Sequence, residues 1–199
     1  MIDTAAFLDD ARCAFIVIDL QTGIVARESA PHAAHDVLAR CARIAQAFRA
    51  RSYPVIYVRV TPSADGGDAL QPIVDVPPPA MVRDAQWATL VPDCGVQADD
   101  IVITKRQWGA FYGTELDLQL RRRGVQRIVI GGISTNIGVE STARDAFERG
   151  YPLMFVEDAM ASFAADEHHH TVERIFPRIG IVRSTDQVMY AMRAPMVNS

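Results

Sequence analysis

The sequence predicts an α/β fold, a three-layer α/β/α sandwich built on a six-stranded parallel sheet. Three observations lead to this prediction. Short apolar segments alternate with helical patterns, an order typical of parallel strands joined by crossover helices. The apolar segments are nearly continuous, which suits strands covered on both faces. Hydrophobic residues make up 49% and charged residues 22% of the 199 residues, as in globular domains. A chain of this length is expected to form one domain over residues 1–199.

The predicted strands are rich in β-branched and aromatic residues, which favours strands over helices. In chain order they span residues 14–18, 55–60, 101–104, 127–130, 153–156 and 179–182. The segment 61–95 contains Gly and Pro clusters, including Pro77, Pro78 and Pro79, and is too long for a tight connection. We interpret it as a lid or a subunit-contact loop.

Helices are predicted between these strands. The first follows a single apolar stripe, formed by Val37, Cys41, Ile44, Ala45 and Phe48. A second begins with Thr114 as its N-cap and ends in a basic triplet, residues 121–123, before a glycine.

Two further helices are expected over about 136–149 and 166–176. The first should bury four apolar side chains, those of Val139, Ala143, Ala146 and Phe147. The second carries three consecutive histidines, residues 168–170. Neighbouring residues on a helix point about 100° apart, so these three rings cannot converge on one metal ion, and a solvated helix is favoured.

Charge and cysteine content exclude several classes of protein. The 20 Lys and Arg against 24 Asp and Glu give a net charge of −4, which argues against a nucleic-acid partner. No apolar run approaches ~18 residues, and the first residues lack the basic segment of a signal peptide, so no membrane partner is expected. Three cysteines at unrelated spacings predict neither a disulfide framework nor a zinc site. A cytoplasmic protein fits best.

Candidate catalytic residues lie where strands end. Asp19 follows the first strand and Lys105 the third, and the carboxyl ends of parallel strands meet at one edge of the sheet. Each also has a simpler interpretation, a turn-forming carboxylate for Asp19 and a surface lysine for Lys105. The fourth strand leads into Gly131 and Gly132 and a helix start over residues 134–138, whose amide groups could bind an anion.

Three segments, VIDLQ, KRQWGAFYGT and GISTNIGVESTARDA, together resemble the isochorismatase-like hydrolase superfamily, also called cysteine hydrolases. The resemblance covers nearly the whole chain and implies the same Rossmann-like six-stranded sheet between helices. It also implies a triad of aspartate, lysine and cysteine, of which Asp19 and Lys105 match the first two. The position of the family's nucleophilic cysteine is Gly138 here.

The missing thiol changes the chemistry that the resemblance implies. Covalent amide hydrolysis is excluded, and existing hydroxyls at Ser134 and Thr135 have no evident base. True isochorismatases dispense with the cysteine, and they imply Asp19 as general acid and Lys105 as its electrostatic partner. Their aromatic-small-His triplet is replaced here by residues 133–135, which argues against isochorismate itself. The family's non-proline cis peptide would fall at Ile133–Ser134.

No metal and no other cofactor is expected, because the Asp-x-His motif of nicotinamidases is replaced by residues 59–62, Arg-Val-Thr-Pro. We expect a small-molecule substrate to contact five further residues, namely Gln21, Trp108, Ile133, Ser134 and Thr135. Gln21 has the alternative of a solvent-facing strand end. Phe111, near Trp108, is predicted to be core.

The predicted function is therefore hydrolysis of a small, anionic metabolite. One alternative remains open. A non-catalytic member of the same fold would bind a small molecule or have a structural role. A dinucleotide-binding oxidoreductase lacks its glycine fingerprint after the first strand. The resemblance also implies a homo-oligomer, a dimer or tetramer, with the Pro-rich segment and the C-terminal tail as contact elements.

Overall fold

A computed structural model describes residues 3–9, 11–77, 84 and 86–193. Its centre is a sheet of six strands in the order β3-β2-β1-β4-β5-β6, and every pair of neighbours is parallel. The strands are β1 Cys13–Ile18, β2 Val55–Val60, β3 Ile101–Lys105, β4 Arg127–Ile133, β5 Leu153–Ala161 and β6 Ile181–Arg183. The predicted fold class is confirmed.

The helices divide between the two faces of the sheet. They are α1 Thr4–Asp9, α2 Thr22–Val25, α3 Ala34–Ala50, α4 Leu116–Arg122, α5 Glu140–Glu148, α6 Ala165–His170, α7 Phe176–Ile179 and α8 Thr185–Arg193. Side chains of α1, α3 and α8 pack on one face, and those of α4, α5 and α7 pack on the other. Within β1, Phe15 and Val17 contact the first core, whereas Ala14, Ile16 and Ile18 contact the second. This alternation explains why the strand sequences are apolar throughout.

Several predicted boundaries and burials differ from the structure. The fifth strand reaches Ala161 rather than Val156, because a register shift against β4 carries it past a polar pair, Glu157 and Asp158. The helix predicted to start at Thr114 begins at Leu116, although the Leu116 amide still donates to Thr114 Oγ1 at 3.2 Å. Phe147, expected in the core, is half exposed near the end of α5.

Wider helical turns interrupt two of the predicted helices. Residues Thr135–Val139 form a π-helix before α5, and Thr171–Ile175 form another between α6 and α7. Such turns occur often at functional sites. The apolar stripe of α3 is confirmed, since all five predicted side chains are fully buried.

The segment after β2 carries neither helix nor strand over residues 61–77. Pro78 and Pro79, together with the C-terminal tail from residue 194, lie outside the described residues. Among the described residues, no helix is both long and apolar enough to span a bilayer.

Candidate active site

A cavity of about 460 Å³ opens at the carboxyl edge of the sheet. Its lining includes Asp19 after β1, Lys105 at the end of β3 and Gly138 in the π-helix after β4. The segment after β2 contributes another wall, with Leu70 among its lining residues. The carboxyl ends of β1, β3 and β4 therefore meet in one pocket, as the topology of parallel sheets favours.

Asp19 and Lys105 form a buried ion pair in this cavity. Lys105 Nζ donates to Asp19 Oδ2 at 2.8 Å and to the Trp108 carbonyl at 2.6 Å. Asp19 is 4% and Lys105 1% exposed. The simpler alternatives, an exposed turn carboxylate and a surface lysine, therefore do not describe these residues.

One oxygen of Asp19 is left without a hydrogen bond. Oδ1 is buried and has no partner among the described residues. Burial raises the pKa of Asp19 to about 6, while the nearby Lys105 ammonium opposes the rise. A carboxyl group with this pKa can carry a proton near neutral pH and give it up to a substrate.

Backbone geometry holds Asp19 in place. Its φ of 53° lies in the left-handed region, which Asp tolerates better than most residues at a cost of roughly 1 kcal/mol. The Asp19 amide donates to the Val58 carbonyl at 2.9 Å, and its carbonyl accepts from Gln21 N at 2.8 Å. These bonds fix the direction in which the carboxylate leaves β1.

Gly138 lies directly against the ion pair. A Cβ at this position would be 2.9 Å from Asp19 Oδ2 and 3.2 Å from Lys105 Nζ. Any side chain at residue 138 would therefore start within reach of both charged groups. Gly132 is required for a different reason, since its Cβ would lie 2.1 Å from the Ile18 carbonyl oxygen where β4 runs beside β1.

The turn after β4 contributes Ile133 and Ser134 to the cavity lining. Their peptide bond is cis, as the resemblance implies. Ser134 Oγ donates to Asn136 Oδ1 at 2.6 Å and lies 3.2 Å from Ser162 Oγ. The predicted anion site is partly occupied by the protein itself, because the amides of Ile137 and Val139 donate to the Ser134 carbonyl.

Two expected substrate contacts lie outside the cavity lining. Gln21 is fully buried, with Oε1 accepting from Val60 N at 2.8 Å and Nε2 donating to the carbonyls of Val60 and Trp87 at 3.0 and 3.3 Å. It therefore joins the end of β1 to β2, and the solvent-facing alternative is wrong, because the side chain is fully buried. Thr135 is also fully buried, and its Oγ1 is 2.8 Å from His168 Nδ1.

Trp108 lines the cavity and is 62% exposed, while Phe111 is buried in the core as expected. Sequence reasoning missed two guanidinium groups in the lining. Arg106 follows Lys105, and its Nη1 is buried with no partner among the described residues. Arg27 stacks on the Phe163 ring, with Cζ 3.4 Å from the centroid. The strand-end rule could have found Arg106, whereas no local pattern indicates Arg27.

The three consecutive histidines differ from one another in burial. His168 is buried, which corrects the prediction of a solvated tract, whereas His169 and His170 are exposed. Burial and the neighbouring imidazoles lower the pKa of His168 to about 4.

Cys13, Cys41 and Cys94 are all free and buried, and none belongs to the cavity lining.

Comparison with known proteins identifies the class to which this fold and site belong. The isochorismatase domain model matches residues 13–187. The isochorismatase family protein YecD of Escherichia coli O157:H7 is 49% identical over 179 residues, covering 90% of this chain and 95% of YecD. Ureidoacrylate amidohydrolase RutB of Methylobacterium radiotolerans is 32% identical, covering 81% and 72%.

The structure of an isochorismatase family protein from Burkholderia thailandensis superimposes with a TM-score of 0.89 at 46% identity, covering 92% of this chain and 96% of that one. The chain belongs to the isochorismatase family, and its membership supports a hydrolase-type function on a small metabolite.

Proposed function

We propose that this chain hydrolyses a small anionic metabolite by general acid catalysis from Asp19, without a cysteine nucleophile. The observation that carries the proposal is the unpartnered Oδ1 of a buried, cavity-lining carboxyl group whose other oxygen is bonded to Lys105. In a folded protein a buried polar atom without a partner is uncommon, and a substrate atom would satisfy this one.

An enol ether is the substrate class that best fits this arrangement. Protonated Asp19 donates its proton to the terminal alkene carbon, which leaves an oxocarbenium ion on the neighbouring carbon. Water adds to that carbon and returns a proton to the Asp19 carboxylate, and the resulting neutral hemiketal separates into a ketone and an alcohol. Lys105 stabilises the Asp19 carboxylate formed in the first step, because its ammonium group is already 2.8 Å from Oδ2.

Cavity charge supports an anionic substrate. Arg27 and Arg106 both line the pocket; Arg106 Nε already donates to Asp68 Oδ2 at 2.5 Å, but its buried Nη1 has no partner among the described residues and can donate to a carboxylate or phosphate. Ile133 and Ser134 would contact the apolar and polar parts of the substrate, with Trp108 at the mouth. Isochorismate itself is disfavoured by Ile133-Ser134-Thr135, which departs from the isochorismatase triplet.

The test is an activity screen with small enol ethers and small amides, ureidoacrylate included because of the RutB similarity. For any substrate that is turned over, we expect Asp19→Asn to lower kcat/KM by ~100-fold or more, the range for loss of a general acid. Asp99→Asn, a change at an exposed aspartate, is the matched control and should leave the rate unchanged. Unchanged turnover in Asp19→Asn would refute the mechanism.

The alternative is a non-catalytic member that binds a small molecule, and it is favoured by Gly138, which has no side chain where the resemblance to cysteine hydrolases implies a nucleophile. Thermal-shift screening with the same compounds separates the two proposals. Ligands that raise Tm and are never turned over support binding alone, whereas turnover of any stabilising ligand supports the enzyme.

We also propose that the chain forms a dimer or tetramer in the cytoplasm. Three free, buried thiols fit a reducing compartment. The segment 61–77 exposes four large apolar side chains, of which Leu70, Ile73 and Val76 are the most exposed, and such a patch favours contact with a second copy. Light scattering on the wild type and on a triple Ser variant of these residues would measure the oligomer and its dependence on the segment.

A further inference from the structure

Three metal-ligand side chains from distant parts of the chain meet beside the turn that follows β4. His32 lies between α2 and α3, Glu157 lies within β5, and His168 lies on α6. One donor atom from each lies within 4.8 Å of the other two, and His32 Nε2 is 3.7 Å from Glu157 Oε2. Ligand atoms around tetrahedral Zn²⁺ are roughly 3.4 Å apart, so small side-chain rotations would bring the three onto one ion.

The fold fixes the elements that carry these ligands. Ala30 and Ser162 form an antiparallel bridge, with amide-to-carbonyl distances of 2.9 and 2.8 Å, which holds the His32 segment against the end of β5. Ser29 Oγ donates to the His32 carbonyl at 2.9 Å. Glu157 lies in the part of β5 where the register against β4 shifts. The cluster is therefore built into the fold rather than assembled by exposed loops.

His168 has the environment of a metal ligand. It is 1% exposed, and Thr135 Oγ1 lies 2.8 Å from its Nδ1. Histidines that bind metals commonly use one ring nitrogen for the ion and bond the other to an oxygen, which fixes the ring and its tautomer. The side chains of His32 and Glu157 are 25% and 35% exposed, which leaves a path for the ion.

We propose that His32, Glu157 and His168 bind one divalent transition-metal ion, with Zn²⁺ as the best match to two imidazoles and a carboxylate. Three protein ligands leave a fourth position for water or another small ligand. None of the three residues lines the cavity, so the ion is distinct from the Asp19 chemistry. Through Thr135 it would hold the 133–138 turn in place, acting on the candidate active site by positioning.

The experiment is a Zn²⁺ titration of the chelator-treated protein by calorimetry, repeated with Co²⁺ to read its visible absorption. We expect one ion per chain in the wild type and a d–d spectrum of tetrahedral cobalt. His32→Ala and Glu157→Gln change partly exposed side chains and should leave the fold intact. Each should weaken binding at least tenfold, the loss expected when a ligand is removed.

Two matched controls replace exposed histidines outside the cluster, His35→Ala and His170→Ala, and should bind as the wild type does. Thr135→Val tests the positioning contact and should weaken binding while keeping one site per chain. Failure of the wild type to bind one ion would overturn the proposal, as would equal affinity in the wild type, His32→Ala and Glu157→Gln. Because no substrate is used, the result is independent of the proposed hydrolysis.

Discussion

Asp19 and Gln21 stand two residues apart after β1, and both are buried polar side chains. All the polar atoms of the Gln21 amide bond to backbone groups of Val60 and Trp87. Asp19 uses one oxygen for Lys105 and keeps the other without a partner among the described residues. The difference separates a structural polar group, which the protein satisfies by itself, from one that is left available to a substrate.

The largest effect on kcat/KM is expected when Lys105, the ion-pair partner of Asp19, is replaced. Lys105→Met keeps the approximate side-chain volume and removes the charge that stabilises the Asp19 carboxylate. We expect kcat/KM to fall by ~100-fold, because the ammonium no longer offsets the charge that develops on Asp19 after proton transfer. Steady-state kinetics measures the change, with Arg106→Met reporting the separate effect of a neighbouring cation.

The fold of Lys105→Met is checked by circular dichroism and by the double variant Asp19→Asn/Lys105→Met, which leaves no unpaired charge in the core. A variant that folds and retains wild-type kcat/KM would contradict the role of Lys105.

The next effect is a pH dependence that distinguishes general acid from general base catalysis. Burial raises the pKa of Asp19 to about 6. A general acid must be protonated, so kcat/KM should fall by about tenfold per pH unit above that pKa and level off below it. The Asp19→Asn variant should lose this dependence. A rate that rises through the same pH range would show that Asp19 acts as a base.

A smaller effect, on stability rather than chemistry, is expected at Gln21. Gln21→Met removes the amide and leaves the Val60 amide and carbonyl without their partners at the end of β2. We expect the free energy of unfolding to fall by about 1–3 kcal/mol, the cost of buried groups left unsatisfied. Urea unfolding measures it, with the exposed Gln126→Met as control.

If Gln21 is purely structural, Gln21→Met should leave kcat/KM unchanged under conditions in which the variant is fully folded. A loss of activity at temperatures where the variant is fully folded would place Gln21 among the residues that contact substrate.

These two residues also show how far sequence alone reaches. The strand-end rule located Asp19 and Lys105, since it depends on the alternation of strands and helices and on parallel topology. It could not separate Asp19 from Gln21, because the partners of Gln21 belong to β2 and to the segment around Trp87, 39 and 66 residues away. Hydrogen-bond partners at such separations leave no local pattern.

The histidines also show that burial and contacts between distant segments cannot be predicted from local sequence. Residues 168–170 look alike in sequence, yet His168 alone turns inward, because α6 packs beside the 133–138 turn and Thr135 meets the ring. Its other neighbours in the cluster, His32 and Glu157, come from separate segments, so no spacing rule could join them. Periodicity predicts the type of each element. It does not predict the full length of β5, because the polar pair at the register shift interrupts the apolar run.

The smallest expected effect is at Gly138, where a substitution also tests whether Asp19 and Lys105 can support a nucleophile at this position. Its Cβ would lie 2.9 Å from Asp19 Oδ2, 3.0 Å from Ile18 Cγ2 and 3.2 Å from Lys105 Nζ, so these buried side chains would have to shift to admit a methyl group. We therefore expect Gly138→Ala to lower the free energy of unfolding by about 1 kcal/mol, because better helix propensity offsets only part of the overpacking.

Gly138→Cys would place a thiol next to a carboxylate and an ammonium group, the neighbours that lower a thiol pKa or accept its proton. We expect slow amide hydrolysis to appear in this variant and to be absent from Gly138→Ala and Gly138→Ser, which reproduce the added bulk without the sulfur nucleophile. An acyl-enzyme adduct detected by mass spectrometry would identify the covalent route. If folded Gly138→Cys forms no adduct with any amide of the panel, the Asp19–Lys105 pair does not support a thiol nucleophile at residue 138.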